Sequence, residues 1–137
     1  MNLMRQWKNV PGVSFMRKQI ELRHKIIGGA SPTFIIAEIG VTCNYDLAMS
    51  KALIDVVRDS GADAVKFIFW FPDEFMSDRT ILYEYDTSDG RKTENMYDML
   101  NSLRFTLDEW KELKAYADDC GVVMFSTVNS PSGITYA

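Results

Sequence analysis

Two kinds of segment alternate along the chain. Three nearly continuous apolar runs of strand length occupy Phe34 to Gly40, Ala64 to Trp70 and Val122 to Thr127. Between these runs the apolar residues recur near period 3.6, as they do on the buried face of a helix. Strands that are apolar on both faces are typical of parallel sheets covered by helices. The pattern therefore predicts the α/β class, with three adjacent parallel strands and right-handed crossovers.

Capping signals mark the ends of the predicted helices. Asp46 precedes the first helical pattern and Gly61 follows it, and these residue types are favoured at a helix N-cap and just beyond a C-terminus. Thr106-Leu107-Asp108-Glu109 reads as a capping box for another helix, which Gly121 ends. A further helix is expected around Met96 to Leu103. These helices would connect the strands as βαβ units.

Two segments fall outside this alternation. Residues 20–27 alternate apolar and polar positions before Gly28-Gly29, which predicts a short N-terminal β-hairpin. From Pro72 to Lys92 the chain is polar, aromatic and rich in turn residues, with Thr87 to Gly90 as the clearest turn, and a long loop is expected there. The chain ends soon after the third predicted strand, whereas a (β/α)8 barrel needs roughly 250 residues. The predicted fold is either a small open sheet or part of such a barrel.

Composition and charge narrow the function classes. The 137 residues are 47% hydrophobic and 25% charged, and no apolar run reaches the roughly 18 residues that a membrane-spanning helix requires. Residues 1–25 carry six Lys/Arg and one acid, a net +5, so the remaining residues sum to −9. This acidic body argues against nucleic-acid binding. We expect a basic solvated tail over residues 1–19, with an organellar transit peptide as the alternative, and a cytoplasmic folded domain over residues 20–137.

The cysteines and the histidine provide no catalytic or metal site. Cys43 and Cys120 are separated by 77 positions and lack a CxxC spacing, so two reduced thiols are expected. His24 stands between Arg23 and Lys25 and is interpreted as a solvated surface residue. Nucleophilic catalysis by a Ser/His/Asp or Cys/His arrangement therefore has no candidate base.

Two charged residues interrupt the first two apolar runs. Side chains alternate along a strand, so Glu38 shares a face with Gly40, and Lys66 shares a face with Ile68. Burial of either charge alone would cost several kcal/mol, so each is expected to pair with the other, with further residues or with a charged ligand. One interpretation is a structural ion pair. The functional ones are an anion held by Lys66 while Glu38 assists proton movement, or a Schiff base on Lys66.

Five segments carry a family resemblance when they are taken together and in order. They are Ser31 to Val41, Gly61 to Phe67, Tyr97 to Leu100, Trp110 to Lys114 and Phe125 to Thr127. This combination resembles the N-terminal part of the N-acetylneuraminate (sialic acid) synthase family. The resemblance implies part of a (β/α)8 barrel, which is usually followed by a small antifreeze-like domain. It also implies a transferase that condenses phosphoenolpyruvate with N-acetylmannosamine or a related amino sugar, with a divalent metal (Mn or Mg) that activates the sugar aldehyde.

The resemblance assigns roles to four residues by position. Glu38 and Lys66 would be catalytic, and Lys66, Thr127 and Asn44 would bind substrate. Lys66 would meet the phosphate or carboxylate of phosphoenolpyruvate, and the Thr127 hydroxyl would donate to it. The loop from Pro72 to Lys92 would cover the sugar, because barrel active sites form at the C-terminal ends of the strands.

The chain departs from the family pattern at three places. Residues 42–46 read Thr-Cys-Asn-Tyr-Asp where the family usually has Asn-His-Asn-Gly-Asp, Ile68 replaces a Gln that contacts the sugar, and Val128 replaces a Pro. The later strands, a second lysine and the metal-binding histidines lie outside this chain. The metal ligands are therefore expected to be absent from it, and the chain alone is expected to be inactive.

The partners implied by the resemblance are phosphoenolpyruvate and an N-acyl amino sugar. A homo-oligomer is also expected, because an unclosed barrel leaves strand edges and an apolar inner face, with Ile36, Ile68, Trp70 and Phe125, without cover. Two alternatives stay open. One is a non-catalytic half-barrel that serves as an interaction or assembly surface, and the other is a lysine-dependent aldolase.

Overall fold

The computed structural model describes residues 19–136, which divide into two compact units between Thr33 and Phe34. The first unit contains a β-hairpin in which β1 (Ile20–Leu22) pairs antiparallel with β2 (Lys25–Ile27). His24 is exposed in the turn between the two strands. The predicted hairpin and the solvated histidine are thus confirmed. The predicted basic tail spans residues 1–19. All of it except Gln19 lies outside the described residues.

The second unit alternates strands and helices around a three-stranded sheet. Its elements are β3 (Ile36–Glu38), α1 (Leu47–Asp59), β4 (Ala64–Phe69), α2 (Pro72–Phe75), β5 (Leu82–Thr87), β6 (Gly90–Asn95), α3 (Met96–Ser102), α4 (Leu107–Asp119), β7 (Val123–Val128) and α5 (Pro131–Tyr136). The sheet order is β3-β4-β7, and both pairs are parallel. The predicted α/β class and its three adjacent parallel strands are confirmed.

The two longest helices begin at the predicted caps. The Asp46 carboxylate accepts a hydrogen bond from the Met49 amide at 2.7 Å, which opens α1. At α4 the Thr106 hydroxyl accepts from the Glu109 amide, and the Glu109 carboxylate accepts from the Thr106 amide, which completes the capping box. Each helix has 13 residues. No helix within residues 19–136 is long and apolar enough to cross a membrane.

The core lies between the sheet and the two long helices. Val65 and Phe67 of β4 are fully buried with Ile54 of α1 and Leu113 of α4. The Phe67 ring meets the Trp110 ring edge-on, with centroids 5.8 Å apart. Burial of such a side chain contributes roughly 1.5–3 kcal/mol. This face of the sheet therefore holds α1 and α4 in place and leaves the opposite face for the charged residues.

The first strand is shorter and more exposed than predicted. The predicted strand spans Phe34 to Gly40, whereas β3 spans only Ile36–Glu38. Ile36 is 48% exposed, so the expectation that both faces are covered is wrong for this strand. The physical reason is that Ile36 lies on the sheet face opposite α1 and α4, which the described residues leave partly open. The ladder ends where the Ile39 amide donates to the Lys66 carbonyl, and Gly40 then turns away at a φ of +52°.

The segment after β4 is more regular than the predicted loop. It contains the short helix α2 and the hairpin formed by β5 and β6, which meet at the predicted turn between Thr87 and Gly90. The Thr87 hydroxyl donates to the Gly90 carbonyl at 2.7 Å across this turn. Tyr83 and Tyr85 stack along β5 with ring centroids 5.6 Å apart. The expectation of a loop from Pro72 to Lys92 is therefore wrong, but the turn predicted at Thr87 to Gly90 within it is confirmed.

Candidate active site

An ion pair between Glu38 and Lys66 lies on the sheet face opposite the helices. The two residues are partners in the β3–β4 register, and Lys66 Nζ lies 2.5 Å from Glu38 Oε2. The Lys66 side chain is 30% exposed and that of Glu38 is 50% exposed. Of the pairings left open by the sequence, the structure shows the one between the two charges. The expectation that both charges are buried is wrong, because this face of the described sheet is partly open.

On the face that carries the ion pair, residues that are partners in the register of β3, β4 and β7 lie side by side in rows across the sheet. Glu38, Lys66 and Phe125 form one row, and Ile68 and Thr127 form the next one toward the C-terminal ends of the strands. Thr127 is exposed. The structure thus brings three of the predicted site residues, Glu38, Lys66 and Thr127, into two neighbouring rows.

The fourth predicted site residue, Asn44, lies in the loop between β3 and α1. Its backbone has a φ of +49°, and its amide donates to the Val41 carbonyl at 3.0 Å. The loop follows the C-terminal end of β3, so Asn44 belongs to the same end of the sheet as Thr127. Its side chain is exposed and is not part of the Glu38–Lys66 ion pair.

Apolar side chains surround the ion pair on the open face. Ile36 is 48% exposed and Phe125 is 37% exposed, while Ile68 is half-buried. Trp70 was expected on this open face, but it is buried, and its indole N–H donates to the Leu100 carbonyl at 3.1 Å. The correction follows from the end of β4 at Phe69, after which the strand alternation no longer sets the direction of a side chain.

Tyr45 is a structural part of the site that the sequence reasoning missed. Its hydroxyl donates to the Ile68 carbonyl at 2.9 Å, and its ring centroid lies 5.3 Å from that of Trp70 and 5.0 Å from that of Phe105. Burial raises the pKa of the Tyr45 phenol, and the nearby Cys43 and Glu38 raise it further, so the phenol stays a hydrogen-bond donor. Tyr45 thereby fixes the backbone of Ile68 next to the ion pair.

The backbone of Tyr45 explains why the residue was hard to anticipate. It has a φ of +53°, directly after Asn44 at +49°. The left-handed region is uncommon for a bulky residue and costs on the order of 1–3 kcal/mol. The available signal was the position itself, since Tyr45 occupies the place of the family's glycine.

A second connection joins two short helices at the C-terminal edge of the sheet. The Glu74 carboxylate in α2 accepts a hydrogen bond from the Ser132 amide in α5 at 3.0 Å. The hydrogen bonds from Ser132 lower the pKa of Glu74. Pro72-Asp73-Glu74 is typical of a helix start, but nothing in the sequence pattern indicated a partner 58 residues away. This bond attaches α2, which follows β4, to α5, which follows β7.

Two cavities of the described residues are not lined by the ion pair. The larger cavity has a volume of about 480 Å³ and follows α4 and β7, and the smaller one, about 310 Å³, lies between the end of β4 and the start of α4. Neither Glu38 nor Lys66 lines them. Cys43 is buried and Cys120 is half-buried, and both are free thiols, as predicted. The candidate site is therefore defined by the Glu38–Lys66 ion pair and the strand register that brings the two residues together, and not by either of these cavities.

The arrangement can hold an anion and support proton movement. Lys66 presents a partly exposed ammonium group, which is a compact point charge that suits a phosphate or carboxylate. Glu38 is an adjacent carboxylate, and Thr127 adds a hydroxyl donor one row away. Within residues 19–136, no group of three or more His, Cys, Asp or Glu side chains is arranged to hold a metal ion.

Comparisons with known proteins point to one family. The NeuB family profile matches residues 53–136. The chain is 33% identical over 100 residues to the N,N'-diacetyllegionaminic acid synthase of Legionella pneumophila, covering 73% of this chain and 28% of that protein. It is 34% identical over 96 residues to the human N-acetylneuraminate-9-phosphate synthase, covering 70% of this chain and 26% of that protein.

A solved structure shares the fold. The N-acetylneuraminic acid (sialic acid) synthetase of Leptospira borgpetersenii superposes with a TM-score of 0.69 at 24% sequence identity, covering 88% of this chain and 37% of that one. The prediction of part of a (β/α)8-type barrel is thus confirmed. This chain spans little more than a quarter of the length of the curated relatives that it matches.

Proposed function

The chain belongs to the NeuB family, and from this premise we propose that it carries the phosphoenolpyruvate side of an N-acylneuraminate synthase active site. One observation carries the proposal. Glu38 and Lys66 pair at 2.5 Å on the open face of a parallel sheet, with the Thr127 hydroxyl one row nearer the C-terminal ends of the strands. Substrates of (β/α)8 barrels bind at this end. Relatives with synthase activity on sialic-acid-like sugars give the reaction class.

In the proposed reaction, the methylene carbon of phosphoenolpyruvate forms a carbon–carbon bond with the aldehyde carbon of an N-acyl amino sugar, and the aldehyde oxygen takes up a proton to become a hydroxyl. A water molecule adds to the carbon that bears the phosphate, and phosphate leaves as that carbon becomes a ketone. The ammonium group of Lys66 would hold the phosphate or carboxylate of the donor. The Thr127 hydroxyl would donate a hydrogen bond to the same anion, and Asn44 would contact substrate from the loop after β3. Once an anion engages Lys66, the Glu38 carboxylate would be released from its ion pair to accept or return a proton.

The proposal includes the divalent metal of the family as a participant in the reaction, but it assigns no residue of this chain as a metal ligand. The residues described in 19–136 do not fit a metal site, since no three potential ligands converge. Such a metal, Mn or Mg, would polarise the sugar aldehyde. The roles proposed for Glu38, Lys66 and Thr127 do not depend on it.

Self-association and location complete the proposal. Exposed Ile36 and Phe125 lie on β3 and β7, the two outer strands of the described sheet, and apolar residues on strand edges favour pairing with another chain. We therefore propose that the 137-residue chain by itself forms a homo-oligomer, which sedimentation of this chain would detect. The free thiols of Cys43 and Cys120 favour a cytoplasmic location, where thiols stay reduced.

The test is condensation by the full-length protein. Phosphoenolpyruvate loses its phosphate when its enol carbon becomes a ketone, so phosphate release that requires N-acetylmannosamine or a related amino sugar reports the reaction. The proposal expects such release in the parent and its loss in a Glu38→Gln variant that still folds. A full-length protein that neither binds phosphoenolpyruvate nor releases phosphate with any amino sugar would instead favour the non-catalytic module.

A further inference from the structure

We propose that the smaller cavity, between the end of β4 and the start of α4, is a second binding site, and that it takes a small planar aromatic anion. Such a ligand has one or two fused rings and carries a carboxylate or a phosphate group. The site is independent of the proposed function. It is built from aromatic walls, a single positive charge and an indole N–H group.

The cavity and the ion pair belong to opposite faces of the sheet. Phe69, which forms part of the cavity wall, follows the buried Phe67 by two positions along β4, so both side chains point toward α4. Lys66 points to the other face, and it does not line the cavity. The proposed site is therefore separate from the place where phosphoenolpyruvate and the amino sugar bind in the proposed function.

Aromatic rings form most of the wall. Five of the nine lining residues are aromatic, namely Phe69, Trp70, Phe71, Phe105 and Trp110. The Trp110 ring lies 5.0 Å from the Phe69 ring at an interplanar angle of 37°, and 5.1 Å from the Phe105 ring at 80°. Aromatic rings attract a further ring in such offset and edge-to-face arrangements. The volume of about 310 Å³ is near the lower end for ligand cavities, so it suits one or two rings.

Arg104 carries the only charge in the lining. Its side chain is exposed, and it forms no ion pair with another residue of the described part of the chain. No Asp or Glu lines the cavity, although the chain after residue 25 sums to −9. A guanidinium group can bind a carboxylate or a phosphate through two parallel hydrogen bonds. The complement of this cavity is therefore an anion.

The indole N–H of Trp110 is a second donor. The Trp70 indole already donates to the Leu100 carbonyl, whereas the Trp110 indole donates to no residue within 19–136. Trp110 is half-buried, and no fully buried polar side-chain atom of the described residues lacks a partner. The Trp110 N–H therefore reaches open space, and a buried indole N–H usually has an acceptor. An acceptor atom on the ligand would satisfy it.

The same lining argues against a sugar as the ligand. Besides Arg104 and the Trp110 indole, only Asn101 and Thr106 bring polar side-chain groups to the cavity. A pyranose carries several hydroxyl groups, and those that face aromatic walls would lose hydrogen bonds to water without replacing them. Phosphoenolpyruvate has the negative charge but no ring, so it would leave these walls unfilled. The ligand class thus differs from both substrates of the proposed function.

Titration calorimetry of the full-length protein with two pairs of probes tests the proposal. Within each pair the probes differ in the anionic group: indole-3-acetate against indole-3-acetamide, and AMP against adenosine. We expect one site per chain, and in at least one pair about tenfold tighter binding of the anionic member, because a hydrogen bond to a guanidinium group is charge-assisted. Preference for indole-3-acetate assigns a carboxylate ligand, and preference for AMP assigns a phosphate ligand. Both support the site.

Three variants locate the binding. Arg104→Gln should weaken the anionic probe about tenfold, to the affinity of its neutral analogue, and leave the neutral analogue unchanged. Leu107→Trp places a larger ring in the lining and should abolish binding of both probes. Lys66→Met is the control, since it removes a cation from the opposite face, and it should bind the probes as the parent does. Arg104 is exposed, so the result for Arg104→Gln does not depend on whether Leu107→Trp folds.

Three results would overturn the proposal. The first is the absence of saturable binding for all four probes. The second is a preference for the anionic probe that persists in Arg104→Gln. The third is a loss of probe binding in Lys66→Met, which would place the probes at the ion pair. Condensation activity is measured separately, so any of these results leaves the proposed function standing.

Discussion

Replacement of Lys66 by Met tests whether the ion pair serves binding or only structure. The substitution removes the charge and keeps most of the apolar stem. Loss of one partner of a buried charged contact costs roughly 2–5 kcal/mol, and the partial exposure of Lys66, 30%, places the expected effect at the lower end. Binding of phosphoenolpyruvate should therefore weaken by about 2–3 kcal/mol, which corresponds to roughly 30- to 150-fold in Kd.

The chain offers a closely matched control in Lys51. Its Nζ lies 2.5 Å from Glu112 Oε1, with side-chain exposures of 29% and 53%, against 30% and 50% for Lys66 and Glu38. Half-exposed ion pairs contribute about 0–1 kcal/mol to stability. Lys51→Met and Lys66→Met should therefore each lower the free energy of unfolding only slightly. The loss should be larger by about 0.5–1 kcal/mol for Lys51, whose Nζ also lies 5.4 Å from the centroid of the Tyr116 ring.

Two assays on the full-length protein separate the possibilities. Chemical denaturation gives the free energy of unfolding of each variant, and titration calorimetry gives its Kd for phosphoenolpyruvate. We expect only small losses of stability in both variants, and a weaker affinity for phosphoenolpyruvate in Lys66→Met only. If Lys66→Met binds phosphoenolpyruvate as tightly as Lys51→Met and the parent do, the pair is structural and the proposed role of Lys66 is wrong.

Three further predictions concern stability. Thr106→Ala removes the capping box of α4 and should cost about 1 kcal/mol in denaturant unfolding; an unchanged midpoint would contradict the role of this cap. Gly133→Ala should cost about 1–3 kcal/mol in the same assay, because the new Cβ would lie 2.5 Å from Val128 Cγ1. The pKa of Glu74 is lowered in the folded state, so its contribution is present above its ordinary pKa of 4.5 and is lost as the pH falls through the lowered value. Stability measured against pH should therefore show an acid-side loss that Glu74→Gln lacks, and identical profiles would argue against the hydrogen bond to Ser132.

The elements that bury apolar residues were predictable from the sequence. The β4 run, the cap at Asp46 and the capping box at Thr106 each follow from local chemistry that the folded chain keeps. The register was partly predictable too, since strand alternation put Glu38 and Lys66 on faces that could meet. The ion pair is a consequence of the parallel β3–β4 pairing.

The features that were missed depend on contacts between distant residues or on exposed backbone. The β5–β6 hairpin is almost entirely exposed, so its strands lack the apolar alternation that marks a buried one. Trp70, which follows the end of β4, packs in the core against Tyr45, which lies 25 positions earlier in the chain. No local pattern reports such a contact, and the same holds for the bond between Glu74 and Ser132.

The left-handed backbone at Tyr45 also constrains how this sequence can change over evolutionary time. A glycine there would relieve backbone strain of on the order of 1–3 kcal/mol, but it would remove an aromatic ring from between Trp70 and Phe105, and such losses cost about 3–5 kcal/mol. The two effects are non-additive, because the free energy that the Tyr45 ring contributes to stability depends on the neighbouring rings. Tyr45 is therefore entrenched: a lineage that carries it can acquire glycine at low cost only after the residues at positions 70 and 105 have been exchanged for ones that close the gap.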